Sequence, residues 1–338
     1  MRPTPTEPLA ATELWFMQNG LSYFVPAERA AARSALRPRR ALPLLVLVLL
    51  VAAALGGLLG WVSSQFSAAP ALWLTLAGLG GVAYAATALR ARPILTWALT
   101  RTLSSVRILL STASRALPLL LVFVAFLFIN AEAWEMTSSL PFGRLWLAVM
   151  LLLGLGFVFL LVRLPEEVDE VDDAVDDEFL LRTTRGTPME EPCRDLLAES
   201  EANPDAVNPA SYAQVTGYER WNLIMALLVI QVVQVLVLVA AVFIFFLIFG
   251  SLIMLESVQL SWTGRDSITS FPYLDSVSTQ LVKVSLFLAS FSGLYFMVSA
   301  VTDDTYRGQF FASVMDQLER AVGVRAVYLA LRERAGRM

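Results

Sequence analysis

Six stretches of this 338-residue chain are almost free of charge, and each is long enough, or nearly so, to cross a bilayer. They cover residues 41–61, 70–88, 117–129, 145–162, 221–255 and 284–301, the third reaching full length when extended to Trp134. A helix needs roughly 20 apolar residues to span about 30 Å of hydrocarbon, and inside that layer only a helix or a closed barrel satisfies its own backbone. The runs therefore predict an all-α integral membrane protein of about six transmembrane helices. Composition agrees, with 57% apolar residues and a mean hydropathy of +0.64, above the roughly one half usual for soluble domains.

Orientation follows from the basic residues of the short connections, which favour the cytoplasmic side. Arg2, Arg29, Arg33, Arg37, Arg39 and Arg40 precede the first span, and Arg90, Arg92, Arg101, Arg107 and Arg115 lie between the second and third. Arg307, Arg320, Arg325, Arg332, Arg334 and Arg337 follow the sixth. The alternate turns hold no basic residue in 62–69, Arg144 in 135–144, and Arg265 with Lys283 in 256–283. Both termini are expected in the cytoplasm. The first forty residues lack the short charged-then-apolar layout of a cleaved signal peptide, so the first span is expected to be a permanent anchor. Trp61, Trp134, Trp146 and Trp221 fall near span ends, as ring anchors in the headgroup layer do. Arginine supplies all but one of the 25 basic residues, Lys283 being the exception, which suggests a genome of high GC content and a bacterial cytoplasmic (inner) membrane.

The chain divides accordingly. Residues 1–40 form a cytoplasmic or interfacial segment, in which Asn19-Gly20 marks a turn and Pro26 starts a helix ending near Arg37. Residues 41–163 form a four-helix transmembrane half. Within it, Leu95, Leu99, Leu103, Val106, Leu110 and Ala113 recur at helical spacing and predict an interfacial amphipathic helix over 94–115. Residues 164–220 form an acidic cytoplasmic loop, 221–301 a two-helix half with a long fifth helix, and 302–338 a cytoplasmic C-terminal helix bent at Gly323. Glycines in 55–60 and 78–81 let the first two spans approach closely.

The acidic loop carries sixteen carboxylates and four arginines, a net of −12 in a chain of net −4, so the remainder carries +8. Nine of these acids fall in residues 166–178. Val168, Val171, Val175 and Phe179 are spaced three and four apart, so the run reads as an amphipathic helix starting at Pro165. Repulsion between Asp169 and Asp173, and between Asp172 and Asp176, makes that helix depend on nearby counter-charge. The chain's own arginines, in the N-terminus, the 94–115 segment or the tail, are the first expected source, and a basic partner protein is the second. A third reading is divalent binding, since Ca²⁺ and Mg²⁺ favour carboxylate oxygens and Asp169, Asp172, Asp173, Asp176 and Asp177 lie close in sequence. Residues 172–176 also match DDxxD, and so resemble the aspartate-rich motif with which prenyltransferases hold Mg²⁺ and a pyrophosphate. No second such motif accompanies it. The following residues, 185–217, are rich in Pro, Gly and Asn and read as a flexible linker, with Cys193 incidental within it.

Much chemistry is excluded. The chain has no histidine and one cysteine, which removes His-dependent triads, His-ligated metals and any intrachain disulfide. No P-loop, GxGxxG, GxSxG or HExxH pattern occurs. The first, second and fourth spans hold no ionisable residue, which argues against an ion-coupled carrier. Gln231 and Gln234 share a face of the fifth span, either bonding between helices or lining a pore. That span is 35 residues long, about 52 Å, so its inner third should project from the bilayer and stay dry against other protein. The expected function is a non-enzymatic scaffold or accessory subunit that engages a membrane or cytosolic partner through the acidic loop and the tail helix. No cofactor and no nucleic-acid partner are expected. The alternative is a homo-oligomeric channel lined by the fifth span and regulated through the acidic tract. A divalent-dependent lipid or prenyl-transfer enzyme ranks third.

Overall fold

The computed structural model describes residues 6–35, 37–62, 67–104, 124–203, 206–271, 274–302 and 304–337. Among these, five helices are long and apolar enough to cross a membrane. They are α3 (Pro38–Val62), α4 (Ala68–Thr87), α7 (Phe142–Asp173), α10 (Gly217–Ile253) and α12 (Thr279–Thr302). The chain is a helical, multi-pass membrane protein. Of the expected third span, residues 117–123 lie outside the described residues, and 124–128 are helical.

The spans pack where small residues allow it. α3 and α4 form a hairpin in which a Cβ on Gly80 would lie 2.4 Å from Val48 Cγ1, and one on Gly56 would lie 2.6 Å from the Ala69 carbonyl. The two glycines are what let these helices touch. α4 then leans on α7, where Trp146 Nε1 donates to Thr75 Oγ1 at 3.0 Å. α12 is innermost, with half of its most apolar window buried against 6% of that in α4. It packs on both α7 and α10.

One end of the bundle is closed by α6 (Ala131–Ser139), α11 (Glu256–Thr263) and a hairpin of β1 (Ser270–Phe271) with β2 (Leu274–Ser278). Lys283 donates to the carbonyls of Ser138 and Leu140 at 3.0 and 2.6 Å, and Arg265 to that of Ser138 at 2.9 Å. Two cations thus cap the carbonyl end of α6, where the helix dipole favours them. Trp134, expected in the headgroup layer, is instead fully buried, its Nε1 donating to the Phe128 carbonyl at 2.7 Å and its ring edge-on to Trp262. An indole that finds its hydrogen bond inside the protein has no need of the interface.

The other end carries a helical body. It contains α1 (Thr6–Gln18), α2 (Pro26–Ala35), α5 (Arg92–Ser104), α8 (Asp177–Thr184), α9 (Glu190–Ala202) and α13 (Asp304–Arg337), built around the protruding ends of α7 and α10. α2 begins at Pro26 as its sequence implies. Two expectations about this body are corrected. Pro165 does not start a helix, because α7 runs through it to Asp173. Leu164, Val168 and Val171 are buried along one stripe, and their packing outweighs the one backbone bond that proline removes. Residues 185–217 are not a featureless linker, since they hold α9 and a 3₁₀ turn at Pro209–Tyr212. Pro192 is tolerated in the first turn of α9, where no intrahelical N–H is required. Gly323, expected as a bend, lies within the continuous helix α13, and a Cβ at 323 would lie 2.9 Å from Thr183 Cβ, so the glycine admits α8.

In α5 the buried face is Ile94, Ala98 and Thr102, turned to α10, whereas Leu99 is exposed. The remainder of the expected interfacial helix, 105–115, lies outside the described residues.

Candidate functional site

The extramembrane body is organised by the buried carboxylate of Glu219. Glu219 sits in the first turn of α10 and is 4% exposed. Arg325 Nε donates to its Oε2 at 2.5 Å, and Arg29 Nη1 to its Oε1 at 2.6 Å. Arg325 further donates through Nη1 to the carbonyls of Tyr212 and Gln214 at 2.8 and 3.0 Å. The planar fork of an arginine suits such a site, because each N–H can be aimed at a separate oxygen. A buried charge is tolerated only when paired and hydrogen-bonded, and here α2, α10 and α13 all supply part of the pairing. One turn on, Asn222 donates to the Gly20 carbonyl at 2.9 Å and accepts from the Tyr23 N–H at 2.7 Å. The loop after α1 is thereby fastened to α10. Gly20 adopts φ +72°, which accounts for glycine at that turn.

Around this knot, residues 321–331 of α13 are apolar apart from Arg325. Ala321, Val322, Val324, Ala326, Val327 and Ala330 are buried, as is Tyr328. Tyr328 donates to Glu13 Oε1 at 2.7 Å, and its ring lies edge-on to Phe16. Burial, together with the bond to Glu13, pushes the Tyr328 hydroxyl up to about 12. Burial likewise raises the thiol of Cys193, against the opposing effect of its hydrogen bond with Thr184. Cys193 is therefore a core residue of α9.

The acidic tract is split by its environment. Its helical stripe faces inward with two carboxylates included. Glu167 pairs with Arg163 at 3.0 Å, and Asp172 Oδ2 accepts from the Val215 N–H at 2.9 Å. Glu166 also pairs with Arg163. Asp169 pairs with Arg220 at 2.7 Å, and the same guanidinium donates to the Pro165 carbonyl at 3.4 Å. Asp176 caps α8 by accepting from the Phe179 N–H at 2.7 Å. Asp173 and Asp177, at the adjoining ends of α7 and α8, are exposed. Counter-charge thus comes from Arg163 and Arg220, at the flanks of the tract. The arginines of the N-terminus and tail serve elsewhere: Arg29 and Arg325 hold Glu219, and Arg334 holds Glu199 at 3.1 Å. Glu170, Asp173, Asp177 and Glu178 project from the turn and form no ion pair among the described residues.

Asp169, Asp172 and Asp176 are drawn to different partners while Asp173 and Asp177 face outward, and among the described residues no cluster of three or more Asp, Glu or Cys side chains is placed to hold a metal ion. Gln231 and Gln234 are 1% and 8% exposed, and among the described residues both side-chain polar atoms of Gln231 and the amide oxygen of Gln234 have no hydrogen-bond partner. Both lie inside the subunit.

Sequence reasoning missed the Glu219 knot and the cap at Asp176. The cap had a signal, an aspartate just ahead of Asp177-Glu178 and an apolar run. So did burial of the tail, since residues 321–331 are apolar on every face but for Arg325. The pairing of Glu219 with Arg325 joins residues 106 apart and left no local trace. No protein-family model, curated protein or solved structure matches this chain.

Proposed function

We propose that this protein is a non-enzymatic membrane scaffold or accessory subunit of a bacterial cytoplasmic membrane, with its helical body and both termini in the cytoplasm. The partner binds at the turn between α7 and α8. The observation that carries this reading is the contrast within the acidic tract. Five of its carboxylates are consumed in building the fold, while Glu170, Asp173, Asp177 and Glu178 are held outward beside a well-anchored turn with no ion-pair partner among the described residues. Four uncompensated charges on a fixed frame suit a basic protein surface, for which charge complementarity supplies speed of encounter and selectivity. The tail helix contributes by holding that frame, because the apolar surface of residues 321–331 is already covered by the same subunit.

The alternatives draw less support. Gln231 and Gln234 are covered within the subunit, so α10 offers no exposed polar stripe from them to a pore. Asp172 of the DDxxD match faces the interior and accepts a backbone N–H, so its carboxylate does not converge with Asp176. The reading is tested by changing Glu170→Gln, Asp173→Asn, Asp177→Asn and Glu178→Gln together and comparing proteins recovered with the gently solubilised chain. Loss of a basic companion from a folded variant supports it, and undiminished recovery of every companion sinks it.

A further inference from the structure

A cleft of about 310 Å³ opens between α1, α5, α10 and α13, away from the acidic turn. Its floor is apolar, made by Leu223, Leu227 and Ile230 of α10 with Leu318 of α13. The indoles of Trp15 and Trp97 form its walls. Its charged groups are of one sign. Arg101 and Arg320 line it with Asn19 and Gln317, and no carboxylate is present among the described lining residues of a chain with 29 acids. Both arginines are exposed. Arg320 lies one turn beyond Gln317 on α13, and the Gln317 amide oxygen, in the orientation that satisfies both groups, accepts from Arg101 Nε and Nη2 at 2.8 Å. That contact brings a guanidinium of α5 and one of α13 to the same mouth. Arg320 is itself steadied by donating to the Arg185 carbonyl at 2.6 Å.

The height of the cleft is fixed by α10. Counting back from its far end at Ile253, about 20 residues of hydrocarbon crossing end near Gln234. Ile230, on the cleft, lies one turn below that level, about 6 Å along the axis. Gln234 continues the stripe of Leu223, Leu227 and Ile230, so its unpartnered amide oxygen lies on the cleft's side of the helix. The cleft is therefore apolar, flanked by two indoles, doubly cationic at its mouth, and has its Ile230 end level with the headgroups on the arginine-rich side of the membrane. Arginine forks recognise phosphate oxygens through paired N–H donors, and basic pockets beside transmembrane helices suit anionic headgroups.

We propose that this cleft binds a phosphate-bearing amphiphile, with the phosphate held by Arg101 and Arg320 and the apolar part laid between Trp15, Trp97 and the floor of α10. The expected source of the phosphate is the headgroup of an anionic membrane phospholipid, and the chemistry that would hold it is the same for a soluble phosphate compound.

The test uses the full chain in nanodiscs of phosphatidylcholine, with and without phosphatidylglycerol. Native mass spectrometry should find phosphatidylglycerol retained in preference to phosphatidylcholine. The double change Arg101→Gln and Arg320→Gln should weaken that retention on the order of tenfold, the scale of a lost charge-assisted contact. A second measurement needs no variant: a photoactivatable phosphatidylglycerol should crosslink the unaltered chain at Trp15, Trp97 or residues 317–321. Adducts found only elsewhere, or equal retention of the two lipids, would overturn the proposal. If inorganic phosphate alone, added to phosphatidylcholine nanodiscs, raises the melting temperature while phosphatidylglycerol is not retained, the lipid source is wrong and the ligand is soluble.

Discussion

Arg325 and Glu219 meet at 2.5 Å in the interior of the extramembrane body, one from the last helix and one from the first turn of α10. The pair is 6% and 4% exposed, so neither partner can turn to water if the other is removed. Breaking a buried pair on one side costs about 3–5 kcal/mol, whereas replacing both partners by apolar groups is often close to neutral. Glu219→Gln should therefore loosen α13, seen as faster amide exchange across residues 321–331. The double change Glu219→Leu with Arg325→Met should recover much of the loss. Equal damage in the two would mean that the carbonyls of Tyr212 and Gln214, and not the carboxylate, are what hold Arg325.

Gly323 lies against Thr183 with no room for a side chain, since a Cβ there would fall 2.9 Å from Thr183 Cβ and 3.4 Å from Phe179 Cε1. Gly323→Ala gains helix propensity in isolation, but overpacking of this kind costs about 1–3 kcal/mol. The variant should melt at a lower temperature, and Thr183→Ala in the same chain should restore part of the difference. A rise in melting temperature for Gly323→Ala alone would show that α8 yields freely.

Cys193 is fully buried and its thiol is raised by that burial. Only the thiolate reacts quickly with alkylating reagents. The folded protein should therefore resist iodoacetamide at neutral pH and react at once in denaturant. Prompt modification under native conditions would place α9 away from the core.

Tyr328 carries a hydroxyl raised from 10.0 to about 12 by burial and by its bond to Glu13. The sign follows from linkage: below pH 10 both folded and unfolded chains are protonated and the contribution is complete. As pH climbs from 10 towards 12 the unfolded chain ionises first, so stability is lost over that window. A thermal-melt series should show a steeper alkaline decline in the unaltered chain than in Tyr328→Phe. Parallel curves would mean that Tyr328 titrates as freely as an exposed tyrosine.

The transmembrane half of the fold was legible because a bilayer imposes a simple rule. Long uncharged runs must be helices, and five of the six expected spans appear as such. The overlong fifth span was legible for the same reason, and its inner residues are indeed buried among the other helices of the body. What failed was local reading where tertiary packing dominates. Pro165 and Pro192 each carry a breaker's signature, yet each sits inside or at the start of a helix that its neighbours stabilise. Trp134 carried an interfacial signature and was drawn inward by a carbonyl six residues away. The acidic tract was recognised as amphipathic, but its division into structural and free carboxylates depends on Val215, Arg220 and Phe179, whose positions emerge only in three dimensions.

α7 and α10 leave the bilayer as unbroken rods of 32 and 37 residues, and they are braced just beyond it by Asp169 on Arg220 and Asp172 on the Val215 amide. At 1.5 Å per residue they measure about 48 and 55 Å. Two stiff members clamped together at one end cannot change their inclination separately. A thinning or thickening of the surrounding lipid that alters the tilt of either one must swing the helical body as a single lever, and the acidic turn, lying beyond the clamp, travels with it.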